Sequence, residues 1–321
     1  MEISDDCEDS YMKILVLRGG LGNQLFQFAA SVSASREDPL VIWTSTGEPR
    51  KTDNLVDLGH FSLPSTVSLS DGPTDKFSKK ILSWNLVLGI RSLKSRQSKY
   101  FAKVSNIIGS IYFSLKTVGF ISLFAGKGVG FYPSNPNPRQ LILNGYFQAE
   151  YWAKQPKVNA ILQNLRLTNS SEKLKYWVDI IKIDEPIIIH IRLGDYRLED
   201  GIGILQPEYF SRALSNSIMK DCSENVWIFS DEPASIEIKK YVPSNYRATV
   251  FTDISLSPAE TLELMRYGKG YVISNSSFSW WAAYLSYNQR SPRILPNPWF
   301  KNQESPIGIK PGDWNEIDEP F

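Results

Sequence analysis

Four polar clusters interrupt apolar segments of the chain and carry residue types able to handle a charged ligand: residues 19–24, 190–196, 230–232 and 275–279. His190 and Arg192 stand two apart in the run Ile-Ile-Ile-His-Ile-Arg, so on a strand they project to one side. A guanidinium among isoleucines needs a partner, because a buried unpaired charge is very costly. Two partners fit: the oxygens of a diphosphate, held by the planar fork at two points, or a carboxylate, Asp195 or Asp231. Residues 275–279 place small hydroxyl side chains where a helix would start, and free backbone N–H groups there make an anion site. Simple capping by Asn275 or Ser276 fits the same residues. The first cluster, Gly20-x-Gly22 followed by Leu25, lacks the third glycine of a dinucleotide fingerprint and the Lys-Ser/Thr of a P-loop. A tight strand-to-helix turn accounts for its glycines but not for the amides Asn23 and Gln24. There is no Asp-x-Asp and no His/Cys cluster with metal-ligand spacing. The charge of a leaving group would then fall to Arg192 and backbone N–H groups rather than to a metal.

These clusters must be positioned by alternating strands and helices. Residues 12–18 are β-branched and apolar, and pass through the glycines into a helical pattern from Asn23 (Leu25, Phe26, Phe28, Ala29, Val32). Residues 40–43 read as a strand, 54–61 and 76–102 as mainly helical, 141–147 as extended behind a proline-rich loop, and 151–165 and 171–181 as helices. Then follow strand 187–192, helix 207–219, strand 225–230, short strand 249–252, helix 258–267, strand 270–274 and helix 280–287. Alternation without hairpin signals predicts parallel α/β sheets. Two such blocks predict two doubly wound domains, 12–168 and 169–300, followed by a tail, 301–321. Ligands of such sheets bind outside the carboxyl ends of strands, where all four clusters fall. Trp280 and Trp281 read as core.

Composition bounds the rest. With 321 residues, 42% hydrophobic and 21% charged, the chain can bury a large core and is not a disordered polymer. A net charge of +1 argues against a general nucleic-acid binder. Two cysteines, Cys7 and Cys222, exclude a disulfide scaffold and fit a reducing compartment. Two histidines, His60 and His190, leave little for a His-rich metal site. The first ten residues are acidic and polar, unlike a secretory signal. Charge is uneven: residues 76–149 hold 11 basic and no acidic residues, which leaves −10 for the remainder. The basic, apolar segment 76–131 fits a membrane-surface contact and equally a buried helical hairpin with a solvated basic face. A transmembrane span over 106–125 is disfavoured by Lys116 at its middle and by interrupting Ser and Gly.

Four motifs in order, GGLGNQLFQF (19–28), NGYFQ (144–148), HIRLGDY (190–196) and SNSSFSWWA (274–282), resemble the α-1,2-fucosyltransferase family, glycosyltransferase family 11. The resemblance runs from about residue 12 to about residue 300. It implies a GT-B fold: two Rossmann-like doubly wound domains facing a central cleft, acceptor side first and GDP-fucose side second. It implies inverting, metal-independent transfer of L-fucose from GDP-β-L-fucose to the 2-hydroxyl of a galactose, with no cofactor. By the same resemblance, Arg192 matches the arginine that holds the donor β-phosphate and His190 the histidine beside it. Asn275, Ser276, Ser277 and Phe278 match the nucleotide-phosphate loop, Asp231 an acidic position near GDP, and Asn23 an amide near the reacting sugar. Gly20 and Gly22 fall in the donor-side loop set. Two departures stand out: Leu193 where a second arginine is usual, and Thr261 where an acidic residue is usual, with Glu260 or Glu263 as substitutes.

The expected mechanism is one in-line displacement through an oxocarbenium-like state, with departing GDP stabilised by Arg192 and the serine loop. Asp195, Glu199 and Asp200 are placed to act as general base, and Asp195 fits equally as the residue that fixes Arg192. The implied partners are GDP-fucose, a galactose-containing glycan that is free or lipid-linked, and an anionic membrane through 76–131. The implied location is cytoplasmic, at the inner face of that membrane. Rival readings are a fucosyltransferase of other linkage or acceptor (protein O-fucosyl, α-1,6 or α-1,3), a glycan-binding module without turnover, and a nucleotide-sugar oxidoreductase, the last disfavoured by the broken glycine fingerprint.

Overall fold

The computed structural model describes residues 13–35, 38–44, 57–71, 122–125, 130, 141–199, 201–318 and 321. The N-terminal sheet contains strands β1 (Lys13–Val16), β2 (Leu40–Trp43), β3 (Val67–Ser70), β4 (Ser122–Ala125) and β5 (Leu141–Asn144) in the order β3-β2-β1-β5-β4, all parallel. Helix α1 (Leu21–Ser35) follows β1, and α2 (Glu150–Ala153) and α3 (Pro156–Gln163) follow β5. Helix α4 (Glu172–Asp184) leads into the second half. There β6 (Ile187–Ile191), α5 (Pro207–Leu214), α6 (Ser217–Lys220), β7 (Asn225–Ser230), α7 (Ile238–Tyr241), β8 (Arg247–Val250), α8 (Pro258–Met265), β9 (Gly270–Val272), α9 (Ser277–Tyr284), β10 (Arg293–Asn297) and β11 (Asn315–Asp318) follow in turn.

The second sheet runs β11-β10-β9-β6-β7-β8, again all parallel. Counted from β6 this is the doubly wound order 3-2-1-4-5-6, whose switch point lies between β6 and β9. In the first sheet the order reverses between β1 and β5. The fold is therefore α/β with two Rossmann-like sheets, a GT-B-like arrangement. Every residue of β6 is buried, as a central parallel strand covered on both faces requires.

One apolar core runs through both halves, from Leu15, Phe26 and Phe28 to Trp227, Trp280, Trp281 and Leu295. Twelve of the fifteen residues of α1 are buried, so this helix is enclosed rather than amphipathic. The Phe26 ring packs, tilted, 4.6 Å from that of Trp280 and 4.8 Å from that of Trp281 across the junction, which places both tryptophans in the core as expected. Arg266, 1% exposed, pins the connection between the halves: it donates to Leu165 O and Leu285 O and pairs with Glu263 at 2.8 Å.

Several expected elements differ. The helix expected at 151–165 is two, broken at Pro156, and that expected at 207–219 breaks at Asn216, which caps α6 through its side chain. Residues 57–60 form one 3₁₀ turn. Strand 249–252 lies two residues earlier, and the last long helix starts at Ser277 rather than Trp280. Strands β3, β4, β10 and β11 were not legible: β10 contains Pro296, and β11 is an exposed edge of polar residues. Residues 301–321, expected as a tail, thus supply the edge strand of the second sheet. The helix expected over 76–102 and nearly all of the basic segment 76–131 lie outside the described residues. Within that segment Ser122–Ala125 is a strand, so no helix runs through 125. Among the described residues no helix is long and apolar enough to cross a membrane.

Candidate active site

At the switch point of the second sheet, His190 is carried inside by β6 and is only 5% exposed. Its Nδ1 lies 3.1 Å from Ser274 Oγ, just past β9, and its ring 5.7 Å from that of Phe278. Burial first, and the neighbouring Arg192 charge second, hold the imidazole down at about 3. The ring is therefore neutral at physiological pH and can donate or accept a hydrogen bond.

Arg192 emerges one residue beyond β6, half-buried. Its Nη2 lies 2.8 Å from Asp195 Oδ1, its Nη1 3.3 Å from Asp231 Oδ2, and the guanidinium 5.6 Å from the centre of the Tyr196 ring. The carboxylate partners are thus both present. They are not equivalent. Asp231 also accepts the Leu193 N–H at 2.9 Å, and a Cβ on Gly194 would stand 2.6 Å from its Oδ2, so it is built into the β6 loop. The Asp195 side chain is 61% exposed against 19% for Asp231. Solvent-exposed pairs are worth about 0–1 kcal/mol, so Asp195 is the partner an incoming anion can displace.

The serine-rich loop divides in two. Tyr196 Oη donates to Asn275 O at 3.1 Å, and Asn275 Nδ2 donates to Ile202 O and Gly203 O. Asn275 therefore props the 202–203 loop through Nδ2, with its own Oδ1 buried and unpaired. Ser276 precedes α9 without capping it through its side chain, so capping by Asn275 or Ser276 is not what the residues do. Ser277 and Phe278 belong to the first turn of α9.

Across the junction, β1 ends in a loop where Gly19 has φ +69, the left-handed region that favours glycine. The Gln27 amide clamps the Arg18 backbone, accepting at 2.9 Å and donating at 3.0 Å. Gln24, expected at the cleft, turns inward, donating to Gly19 O and accepting from Leu58 N. Asn23, unlike Gln24, turns its amide toward the second sheet. Its Oδ1 accepts from Gln148 Nε2 at 2.7 Å and from Ser277 Oγ at 3.2 Å. A Cβ on Gly22 would stand 2.4 Å from Phe278 N. Gly22 thus permits close contact between α1 and the Ser277–Phe278 turn of α9. Gly20 borders open space.

Both departures have structural accounts. Leu193 is buried in the second core cluster, so its position points away from Arg192. Neither proposed substitute for an acid at Thr261 is available: Glu260 closes the capping box of α8 and accepts from Ser171 N, and Glu263 holds Arg266 and Tyr287. Glu199 is exposed; Asp200 lies outside the described residues. Three groups had no assigned role in the sequence. Gln148 and Tyr196 stood inside quoted motifs and Glu232 inside the cluster 230–232, whereas its rim partner Arg197 gave no signal. Among the described residues no cluster of His, Cys, Asp and Glu could hold a metal ion.

Two Rossmann-like sheets meet at their carboxyl ends, with a guanidinium at one switch point and an amide at the other, in a GT-B-like architecture. The model of glycosyl transferase family 11 matches residues 136–317, more than half of the sequence, and the chain belongs to that family. It is 27% identical over 320 residues to an alpha-1,2-colitosyltransferase of Escherichia coli, covering 91% of this chain and 94% of that protein. It is 24% identical over 303 residues to the O-antigen biosynthesis glycosyltransferase WbnK of Escherichia coli, covering 88% and 93%. Among solved structures, a point mutant of Arabidopsis thaliana FUT1 in complex with GDP superposes with a TM-score of 0.49 at 12% identity, over 96% of this chain and 76% of that one.

Proposed function

We propose that the chain transfers L-fucose from GDP-β-L-fucose to the 2-hydroxyl of a galactose in a glycan acceptor, inverting the anomeric centre, in assembly of a surface polysaccharide or O-antigen. The observation that carries this reading is Arg192 at the β6–β9 switch point, held by one fixed and one displaceable carboxylate. The donor diphosphate takes the place of Asp195 on Arg192, while Asp231 keeps the guanidinium aimed. The acceptor oxygen then forms its bond to the anomeric carbon as the bond to the β-phosphate oxygen breaks. That electron pair leaves on GDP, where Arg192 meets it. Asp195, freed from Arg192, is placed to take the hydroxyl proton. Neutral His190 and Ser274 supply hydrogen bonds at the same strand ends. The step needs no metal.

A second reading is favoured by the colitosyltransferase relative: transfer of colitose, which lacks only the 3-hydroxyl of L-fucose. The basic segment 76–131 adds, on its charge alone, peripheral contact with an anionic membrane at the cytoplasmic face. The test is incubation with GDP-fucose or GDP-colitose and a panel of β-galactosides, with product linkage read by NMR, on wild type and Arg192→Ala. Losing one charge-stabilising donor lowers turnover by about 10²–10³-fold. A folded Arg192→Ala variant with wild-type transfer removes the phosphate role; transfer to peptides but not galactosides removes the acceptor.

A further inference from the structure

Gln148 carries features that its own packing does not repay. Phe147, immediately before it, is held at φ 54, a backbone region that bulky residues enter only when their surroundings force it. Gln148 is itself 7% exposed, and its Oε1 is buried without a partner, an arrangement that is destabilising in itself. The other end of the same amide does one thing: Nε2 donates to Asn23 Oδ1 at 2.7 Å. Ser277 Oγ donates to that oxygen from the second sheet at 3.2 Å. An amide whose oxygen takes two donors has one orientation. Asn23 Oδ1 faces Gln148 and Ser277, and Nδ2 lies over Gly19, where a Cβ would stand 2.6 Å from it.

We propose that Gln148 is a positioning residue for transfer: with Ser277 it turns the Asn23 amide so that Nδ2 is presented as a hydrogen-bond donor to a sugar hydroxyl at the reaction centre. This rests on the transferase reading of the site, and it assigns the work of the NGYFQ motif. Strain at Phe147 and the unpaired Oε1 are the local consequences of holding one amide against another. Because Ser277 comes from the opposite sheet, the orientation is complete only when the two halves meet.

The test uses the full chain with Gln148→Leu, which removes the donor, and Gln148→Glu, which puts a carboxylate in its place and recruits Nδ2. Both variants are expected to lower kcat by about 100-fold, the loss that a misplacement of about 1 Å produces, with GDP affinity by calorimetry held within about twofold because Arg192 is untouched. In an Asn23→Ala background Gln148→Leu adds no further loss. In a crystal of Gln148→Leu the Asn23 amide has turned away from Ser277. Wild-type kcat in the variants, a full additional loss in the Asn23→Ala background, or an unchanged Asn23–Ser277 bond in that crystal overturns the proposal. If wild type transfers neither sugar, the proposed reaction fails, and the crystal still decides the role of Gln148.

Discussion

Gly22→Ala tests how the two halves are joined. The added Cβ would sit 2.4 Å from Phe278 N and from Ser277 C, both backbone atoms of α9 that no side-chain rotation can move aside. Restoring an ordinary contact of about 3.4 Å requires α1 and α9 to separate by roughly 1 Å, and overpacking of this kind costs about 1–3 kcal/mol. The same shift stretches the 3.2 Å Ser277–Asn23 hydrogen bond beyond bonding range, a net loss of about 1 kcal/mol. Better helix propensity returns at most about 1 kcal/mol. The expected loss is therefore about 1–3 kcal/mol, read by urea unfolding as a lower midpoint at unchanged slope. Gly20→Ala is the internal control, because nothing lies within 4 Å of its added Cβ. Its poorer capping and its smaller unfolded-state entropy roughly cancel, leaving about 0.5 kcal/mol or less. Equal shifts for the two variants would refute the close helix contact, and so would a Gly22→Ala crystal with the Ser277–Asn23 bond intact.

Two further outcomes are expected. His190 has its folded value pushed down to about 3, so the neutral form is the one folding favours. Its contribution to stability is complete above about pH 6.5 and is lost as pH falls toward the folded value, at about 1.4 kcal/mol per pH unit. Wild type should lose about 2 kcal/mol more than His190→Gln between pH 6.5 and 5.0; identical pH dependence in urea unfolding contradicts a buried neutral ring. Charge reversal at Lys79, Lys80, Lys94 and Lys99 should weaken cosedimentation with anionic liposomes while transfer to a soluble acceptor stays near wild type. Unaltered liposome binding removes the membrane contact.

The sequence by itself determined the parallel α/β class and the placement of chemistry at strand ends. The reason is local: a run such as Ile187–Ile191 has no amphipathic alternation because both its faces are covered, and turn residues must follow each strand. It also delivered Arg192 with its two carboxylate partners, since a guanidinium at the end of an apolar strand must be compensated nearby. Tertiary structure decided which of several equivalent-looking polar residues face the junction. Asn23 and Gln24 are adjacent amides, yet one meets the opposite sheet and the other braces a loop. Gly20 and Gly22 share a motif, yet only Gly22 is pressed against another backbone. The sequence shows no sign that Asn275 supports the 202–203 loop, two carbonyls of which its Nδ2 bonds. Gln148 lies 125 residues from the amide it orients, and Ser277 lies 254 residues away. Spacing along a chain fixes which side of a strand or helix a residue takes, but contacts between the halves depend on how two separately wound sheets dock, and no local period encodes that.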